Sequence, residues 1–319
     1  MTVDADQLVS VIIPTHDRPE SVGRAVRSVL DQTHEALQVV VVDDASPEPL
    51  VLSADLAGDP RVRVYRLDEQ SGPGQARNEG VRASTGSLLA FLDDDDVWRP
   101  TKIERQLDVL ARQGESVAAV ETGYDLRDGE RLVLRYLPDP DRDLRVAILA
   151  KPYLQPSTVL LRRAAFDHLG GFDAELMRIE DWDLWVRFSD SHEVSVLPEV
   201  LVDRQVSHTD PAVVLRWYRE MVRRLEPRIE ALPPADRSRT RSIHLLVESE
   251  LLAELRDRRA ARQHALRALR ERPQDWRRPA LALVRSVIGE RIWGGAKRLF
   301  YARARPLVRM FGRDPLVRR

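Results

Sequence analysis

The sequence predicts an α/β domain built on a doubly wound, mostly parallel sheet with helices on both faces, followed by an all-helical C-terminal extension. Three observations carry that expectation. Short β-branched runs alternate with helical patterns through the first half of the chain. Two of those runs, 9–13 and 39–42, are nearly continuous in apolar residues, broken only by Ser10, as expected of strands covered on both faces. From about Pro211 onward only helical spacing recurs, punctuated by prolines.

Taken in order, residues 9–13 and 39–42 read as buried strands. Between them Val22, Ala25, Val26, Val29 and Leu30 recur at helical spacing, after the start signals Asp17 and Pro19. Residues 61–65 and 87–92 read as two further strands, and 75–83 and 101–112 as helices. In the C-terminal part, 212–232 reads as one helix and 236–272 as a helical pair bounded by Pro233-Pro234 and Pro273. The alanines between 251 and 272 suit a closely packed hairpin. The expected organisation is an α/β domain over residues 1–212 and a helical, Arg-rich region over 213–319.

Charge divides at the same place. The 319 residues carry 50 Lys+Arg against 51 Asp+Glu, a net of -1. Residues 1–212 hold 23 basic and 39 acidic side chains, whereas residues 213–319 hold 27 and 12. The near-zero total is therefore a cancellation, and it points to two parts with different tasks. The absence of Cys excludes disulfides, thiolate nucleophiles and Cys-ligated metals, and it is compatible with a reducing compartment. No run approaches the ~20 apolar residues of a membrane span, and the acidic start lacks the features of a signal peptide. A cytoplasmic protein is expected. Residues 285–319 hold ten basic side chains against Glu290 and Asp314, interleaved with Ile292, Trp293, Leu299, Phe300, Leu307, Met310 and Phe311. That mixture suits an anionic membrane surface, here the inner face of the cell membrane. Self-docking on the acidic domain ranks second. Nucleic acid ranks last, because no reading motif is present.

In doubly wound sheets ligands sit beyond the carboxyl ends of the strands. Residues 14–18, 43–46 and 93–96 fall there. An apolar strand running into Asp93, Asp94, Asp95 and Asp96 sets like charges side by side, a cost that a bound divalent cation relieves. An acidic turn closing the strand is the plainer reading. Asp43 and Asp44 suit hydrogen bonds to a base or ribose, or equally an Asx-turn. In Ser71-Gly72-Pro73-Gly74-Gln75-Ala76-Arg77, glycines permit close backbone approach and Arg77 suits a phosphate, though the same residues also simply make a turn. Neither Gly-x-Gly-x-x-Gly after the first strand nor a Gly-x-x-x-x-Gly-Lys loop occurs, which disfavours dinucleotide and P-loop enzymes. Glu180, Asp181 and Asp183 open a helix, where acids complement the dipole and one can also act as general base.

Together, Ser10-Val11-Ile12-Ile13-Pro14-Thr15, Asp43-Asp44-x-Ser46, Gly74-x-Ala76-Arg77-Asn78-x-Gly80, Asp93-Asp94-Asp95-Asp96-x-Trp98-x-Pro100-x-Lys102 and Glu180-Asp181-x-Asp183-Leu184-Trp185 resemble the family-2 glycosyltransferases of GT-A fold, over about residues 8–205. The resemblance implies an inverting, non-processive transfer of a sugar from a nucleoside-diphosphate donor, a UDP-sugar first, to a hydroxyl of a saccharide or lipid-linked acceptor. Cell-envelope polysaccharide or glycoconjugate synthesis is the implied setting. It implies Asp181 as catalytic base with Glu180 beside it, and Pro14, Thr15, Arg18, Asp43, Asp44, Arg77, Asp93 and Asp94 around the nucleotide. A divalent metal, Mn²⁺ or Mg²⁺, is implied on Asp95, with Asp93 and His208 as further candidates. His16 stands where the family often has Asn. The lack of Gln-x-x-Arg-Trp and of a membrane span disfavours processive synthesis. A nucleotidyltransferase and an inactive glycosyltransferase-like binding module are the alternatives. The first lacks its Gly-rich basic signature here, and the second sits poorly with an intact carboxylate set.

Overall fold

Strand β1 (Val9–Thr15) is buried at every position and carries parallel neighbours on both sides. The chain leaves it through α1 (Pro19–Leu30) and returns as β2 (Leu37–Asp43), then α2 (Ala54–Ala57), β3 (Val62–Arg66), α3 (Gly72–Arg82) and β4 (Leu88–Phe91). These four strands lie in the order β3-β2-β1-β4 and are mutually parallel. The structure, a computed structural model, describes residues 7–207, 209–275 and 277–288. His208 and residues 289–319 lie outside them, and with them the expectations of a His208 metal ligand and of a membrane-facing tail.

Helix α1 forms where the sequence predicts, with Pro19 at its first turn, a position that needs no N–H donor. Its buried face is Val22, Ala25, Val26 and Val29, packed on Val9, Val11, Ile13, Val39 and Val41. Each such side chain contributes about 1.5–3 kcal/mol on full burial. Pro14 sits at the end of a central strand without loss. Ile12 O accepts from Leu92 N, so the next inward-pointing nitrogen on that side, Pro14 N, faces beyond the last rung of β4 and has no ladder partner to lose.

The second half of the sheet is mixed. After β5 (Val97–Trp98) and α4 (Lys102–Gln113) come β6 (Val117–Asp128), β7 (Arg131–Tyr136), α5 (Leu144–Ala150), β8 (Val159–Arg162), α6 (Arg163–His168), α7 (Glu180–Ser191) and β9 (Glu193–Gln205). The sheet runs β3-β2-β1-β4-β8-β6-β9-β5, with β7 paired to β6. Strand β8 is antiparallel to both neighbours, and β6 and β9 are parallel to each other.

The described residues form two compact units, one of residues 7–140 with 154–207 and the other of residues 141–153 with the described residues from 209 to 288. A single break at residue 212 leaves out the excursion at 141–153, which carries α5 into the second unit. That unit continues with α8 (Pro211–Glu230), α9 (Pro234–Glu254), α10 (Arg258–Glu271) and α11 (Arg277–Ile288). The helical pair expected over 236–272 is α9 against α10, whereas the alanine stretch 251–272 is not itself a hairpin but mostly the single helix α10. Ala261, Ala265 and Ala268 are fully buried, and the small side chains bring Ser249 Oγ to Ala261 O at 2.8 Å and Ser242 Oγ to Ala268 O at 3.2 Å. No helix among the described residues is long and apolar enough to cross a membrane.

Candidate active site

The loops after β1 and β2 are stitched together by short bonds. Asp44 N donates to Thr15 O at 2.9 Å and Asp17 N to Ser46 Oγ at 2.9 Å, while His16 Nδ1 lies 2.8 Å from Asp44 O. Asp17 and Ala45 adopt left-handed backbone conformations, with φ of 55° and 53°.

Asp43 is fully buried and accepts from Ser46 N, Leu50 N and Arg66 Nη1 at 2.9, 3.2 and 2.6 Å. Burial alone would raise its pKa, but the hydrogen bonds from Ser46, Leu50 and Arg66 outweigh it and hold the carboxyl below its usual value. Asp43 organises its own loop, as in the Asx-turn alternative. Asp44 accepts from Ser71 N and Gly72 N at 2.7 and 2.9 Å, holding the start of α3 against the end of β2.

The acidic run leaves β4 with its carboxylates alternating in direction. Asp94 accepts from Thr15 Oγ1 at 2.6 Å and Arg18 Nη1 at 3.1 Å. Asp96 accepts from Gln205 N at 3.0 Å and Arg204 Nε at 3.2 Å. Side-chain exposure is 8% for Asp94 and 1% for Asp96, against 26% for Asp93 and 32% for Asp95. Burial raises the pKa of Asp94, with Thr15 and Arg18 pulling the other way. Burial and the neighbouring charge of Asp93 raise that of Asp95. Burial pushes Asp96 up to about 7 against the attraction of Arg204.

Among the described residues no three His, Asp or Glu side chains converge as a closed metal shell. The donors that do face outward, Asp93 and Asp95, are hard oxygen ligands whose mutual repulsion a cation would relieve. Two carboxylates with diphosphate oxygens and water completing the shell suit Mg²⁺ or Mn²⁺.

Arg77 lies between the acidic turn and the start of α7. It is 4% exposed, and its Nη1 and Nη2 are taken by Glu180 Oε1 at 2.8 Å and Asp93 Oδ1 at 2.6 Å. Its guanidinium also lies 5.3 Å from the centroid of the Phe172 ring. The glycine motif around it serves packing. A Cβ on Gly74 would stand 3.0 Å from Glu180 Cγ, and one on Gly80 would stand 2.5 Å from Ile12 Cγ2. Only glycine lets α3 approach both the α7 start and β1. Asn78 reads the backbone of Phe172 in both directions, donating to its O and accepting from its N, each at 2.9 Å.

Helix α7 begins after Ile179, whose φ of 65° is left-handed. Asp181 is half-buried, and its Oδ1 accepts from Trp182 N at 2.7 Å. Burial and repulsion from Glu180 raise its pKa to about 7, with Arg77 opposing. The expected residues thus meet beyond the strand ends in one unit: the 15–18 loop, the acidic run and the α7 start. Sequence reading missed Arg66, which stands opposite Asp43 in the β2–β3 register, the contact of Ser157 with Asp93 and the bracing of Asp96 by Arg204.

Residues 10–170 match the family model described as Glycosyl transferase family 2. An uncharacterized glycosyltransferase of Rickettsia prowazekii is 30% identical over 206 residues, 62% of this chain and 64% of that protein. The succinoglycan biosynthesis protein ExoO of Rhizobium meliloti is 34% identical over 124 residues, 39% of this chain and 36% of that protein. The chain thus spans less than two thirds of the length of either relative. Among solved structures, the mannosyltransferase PcManGT of Pyrobaculum calidifontis, in complex with GDP-Man and Mn²⁺, superposes with a TM-score of 0.56 at 18% identity, over 88% of this chain and 86% of that one. This likeness establishes the GT-A fold. With half the chain matched by the family model on that fold, the chain belongs to glycosyl transferase family 2.

Proposed function

We propose that the chain is an inverting glycosyltransferase that moves a sugar from a nucleoside-diphosphate donor to an acceptor hydroxyl in polysaccharide or glycoconjugate biosynthesis. The observation that carries the reading is one buried arginine, Arg77, that joins Glu180, the chain neighbour of Asp181 at the α7 start, to Asp93 of the acidic turn. The likeness to a succinoglycan protein and to a mannosyltransferase bound to GDP-Man and Mn²⁺ supports the donor class and the setting.

In this reading Asp181 takes the proton of the acceptor hydroxyl as that oxygen attacks the anomeric carbon opposite the leaving group. The new C–O bond forms as the anomeric carbon–oxygen bond to the diphosphate breaks. A carboxylate with a pKa near 7 is a stronger base than an ordinary aspartate and is still largely ionised just above neutrality. Asp95 with Asp93 would hold a divalent cation, which supplies positive charge to the departing diphosphate. Arg18, 56% exposed and resting on Asp94 and Asp95, is the chain's own cation with reach to that charge. Thr15, Pro14 and Asp44 form the strand-end wall against which the nucleoside would lie, and Glu180 fixes Arg77 behind the base.

The test is release of nucleoside diphosphate from a panel of UDP-, GDP- and dTDP-sugars with saccharide and lipid-linked acceptors, with and without Mn²⁺ or Mg²⁺. Transfer with inversion, abolished by Asp181→Asn, is the expected result. Normal turnover by Asp181→Asn would remove the base assignment, and nucleotidyl transfer in place of sugar transfer would remove the reading itself.

A further inference from the structure

We propose that Ser157 is a positioning residue for the acidic turn: its hydroxyl holds the backbone of Asp93, the first of the four aspartates, and so helps fix which carboxylates face outward. Ser157 is fully buried, in the 3-10 turn Pro156–Thr158 that precedes β8. Its Oγ accepts from Asp93 N at 3.1 Å, the bond that receives the first amide of the acidic run from behind.

The geometry follows from such bonds. With the Asp93 backbone held by Ser157, Asp96 drawn inward onto Arg204 and Gln205 N, and Asp94 drawn to Thr15 and Arg18, the side chains left more exposed are those of Asp93 and Asp95. In four identical side chains nothing local distinguishes one register from the next. The choice is made by partners outside the run, and Ser157 is the one that receives the Asp93 amide at its start.

Ser157 is itself held. Trp98 Nε1 donates to Ser157 O at 2.9 Å, and the Trp98 ring carries Lys102 Nζ at 3.9 Å from its centroid. Lys102 is fully buried and donates to Gln106 Oε1 at 2.8 Å, while Gln106 Nε2 donates to Thr158 O at 2.9 Å. The Trp98-x-Pro100-x-Lys102 sequence that follows the aspartates therefore folds back to brace the serine behind them. A hydroxyl that orients ligating carboxylates acts as an outer-shell partner does in metal sites.

The proposal rests on the reading of Asp93 and Asp95 as a cation-facing pair, so the experiment measures Mn²⁺ binding itself. The full chain is titrated with Mn²⁺ alone, and free Mn²⁺ is followed by electron paramagnetic resonance. Ser157→Ala is expected to weaken binding by at least about tenfold, the loss seen on removing outer-shell partners, and Ser157→Thr to restore most of it. Trp98→Phe keeps the ring under Lys102 and deletes only the N–H that holds Ser157 O. It should weaken binding in the same direction, and it carries the test if Ser157→Ala does not fold. Parent-like binding by folded Ser157→Ala, alongside lost binding in Asp95→Asn, overturns the role of Ser157 and leaves the reading of the turn standing. Parent-like binding in Asp95→Asn as well, or no binding by the parent chain, overturns both.

Discussion

Arg77 joins two carboxylates 87 positions apart in the sequence, Asp93 at 2.6 Å and Glu180 at 2.8 Å, from a side chain that is 5% exposed. The pair of ion contacts fastens the α7 start to the acidic turn, so the proposed base and the proposed cation site share one buried cation. Removing one partner of a buried pair costs about 3–5 kcal/mol, because the other charge stays buried. Arg77→Met is therefore expected to lower stability by that order and to abolish transfer. Arg77→Lys keeps the charge but cannot span both acids with a fixed fork, and should retain the fold better than the activity. Thermal melts and turnover of the two variants separate these effects; full activity in Arg77→Lys would show that the bridge is dispensable.

Asp181 gives a prediction with a definite sign. Its pKa is about 7 in the folded chain against an ordinary 3.8. Between those values the folded state holds a proton that the unfolded state has lost, so stability falls as pH rises through that window. Asp181→Asn removes the titration. Relative to the parent, the variant should gain stability at pH 8 and little at pH 4, with Tm rising about 2–4 °C for each kcal/mol recovered, while transfer is lost. A variant equally inactive but showing no pH-dependent gain would mean that the carboxyl is not raised.

Most of the first four strands and their helices were legible in the sequence, because Val9–Thr15 and Leu37–Asp43 are mostly apolar, with Ser10 and Gln38 the only polar residues before Thr15 and Asp43 at their ends, and α1 has one clean buried stripe. Strand β6 was not. It carries Glu121, Thr122 and Asp125 fully buried, Asp125 beneath Arg99 and Arg135, so its pattern reads as neither an apolar run nor an alternation. The site divided the same way. The acids announced themselves as costly residues at strand ends, but their partners are chosen by tertiary contact. Nothing around Arg77 in the chain says that it is buried between Asp93 and Glu180, and nothing around Ser157 says that it lies behind Asp93.

Glu180 tunes its neighbour as well as holding Arg77. Its charge is, after burial, the main cause that raises Asp181. Glu180→Gln should therefore shift the acid limb of the pH–rate profile of transfer toward lower pH, since less repulsion lets Asp181 ionise earlier. The comparison is the parent and variant profiles of kcat at saturating donor. A limb that stays in place, or moves toward higher pH, would remove the coupling between the two acids.

Gly80 offers a test of fold without chemistry. A Cβ there would stand 2.5 Å from Ile12 Cγ2 and 3.0 Å from Val42 Cγ2, both on buried strands that cannot retreat. Gly80→Ala should destabilise the chain by about 1–3 kcal/mol through overpacking, despite the gain in helix propensity that alanine brings. Denaturant unfolding reads the sign directly, and a stabilised variant would contradict the close approach of α3 to β1.

The second unit carries a buried histidine whose titration runs opposite to that of Asp181. His244 Nε2 lies 2.9 Å from Leu149 O, which can only accept, so that nitrogen bears the hydrogen. Nδ1 is then the acceptor for the Tyr218 hydroxyl at 2.7 Å, and the ring is neutral. Burial holds its pKa at about 4, with the bond to Leu149 opposing, against an ordinary 6.5. Between those values the unfolded chain binds a proton that the folded chain does not, so this group removes stability as pH falls from 6.5 toward 4. His244→Gln loses one of the two hydrogen bonds and should be less stable than the parent at pH 7, by about 1–3 kcal/mol. It also loses the titration, so the gap between variant and parent should narrow as pH falls to 5. Melts of both chains across that range give the answer, and a gap that stays constant or widens would mean that the ring is already charged in the folded protein.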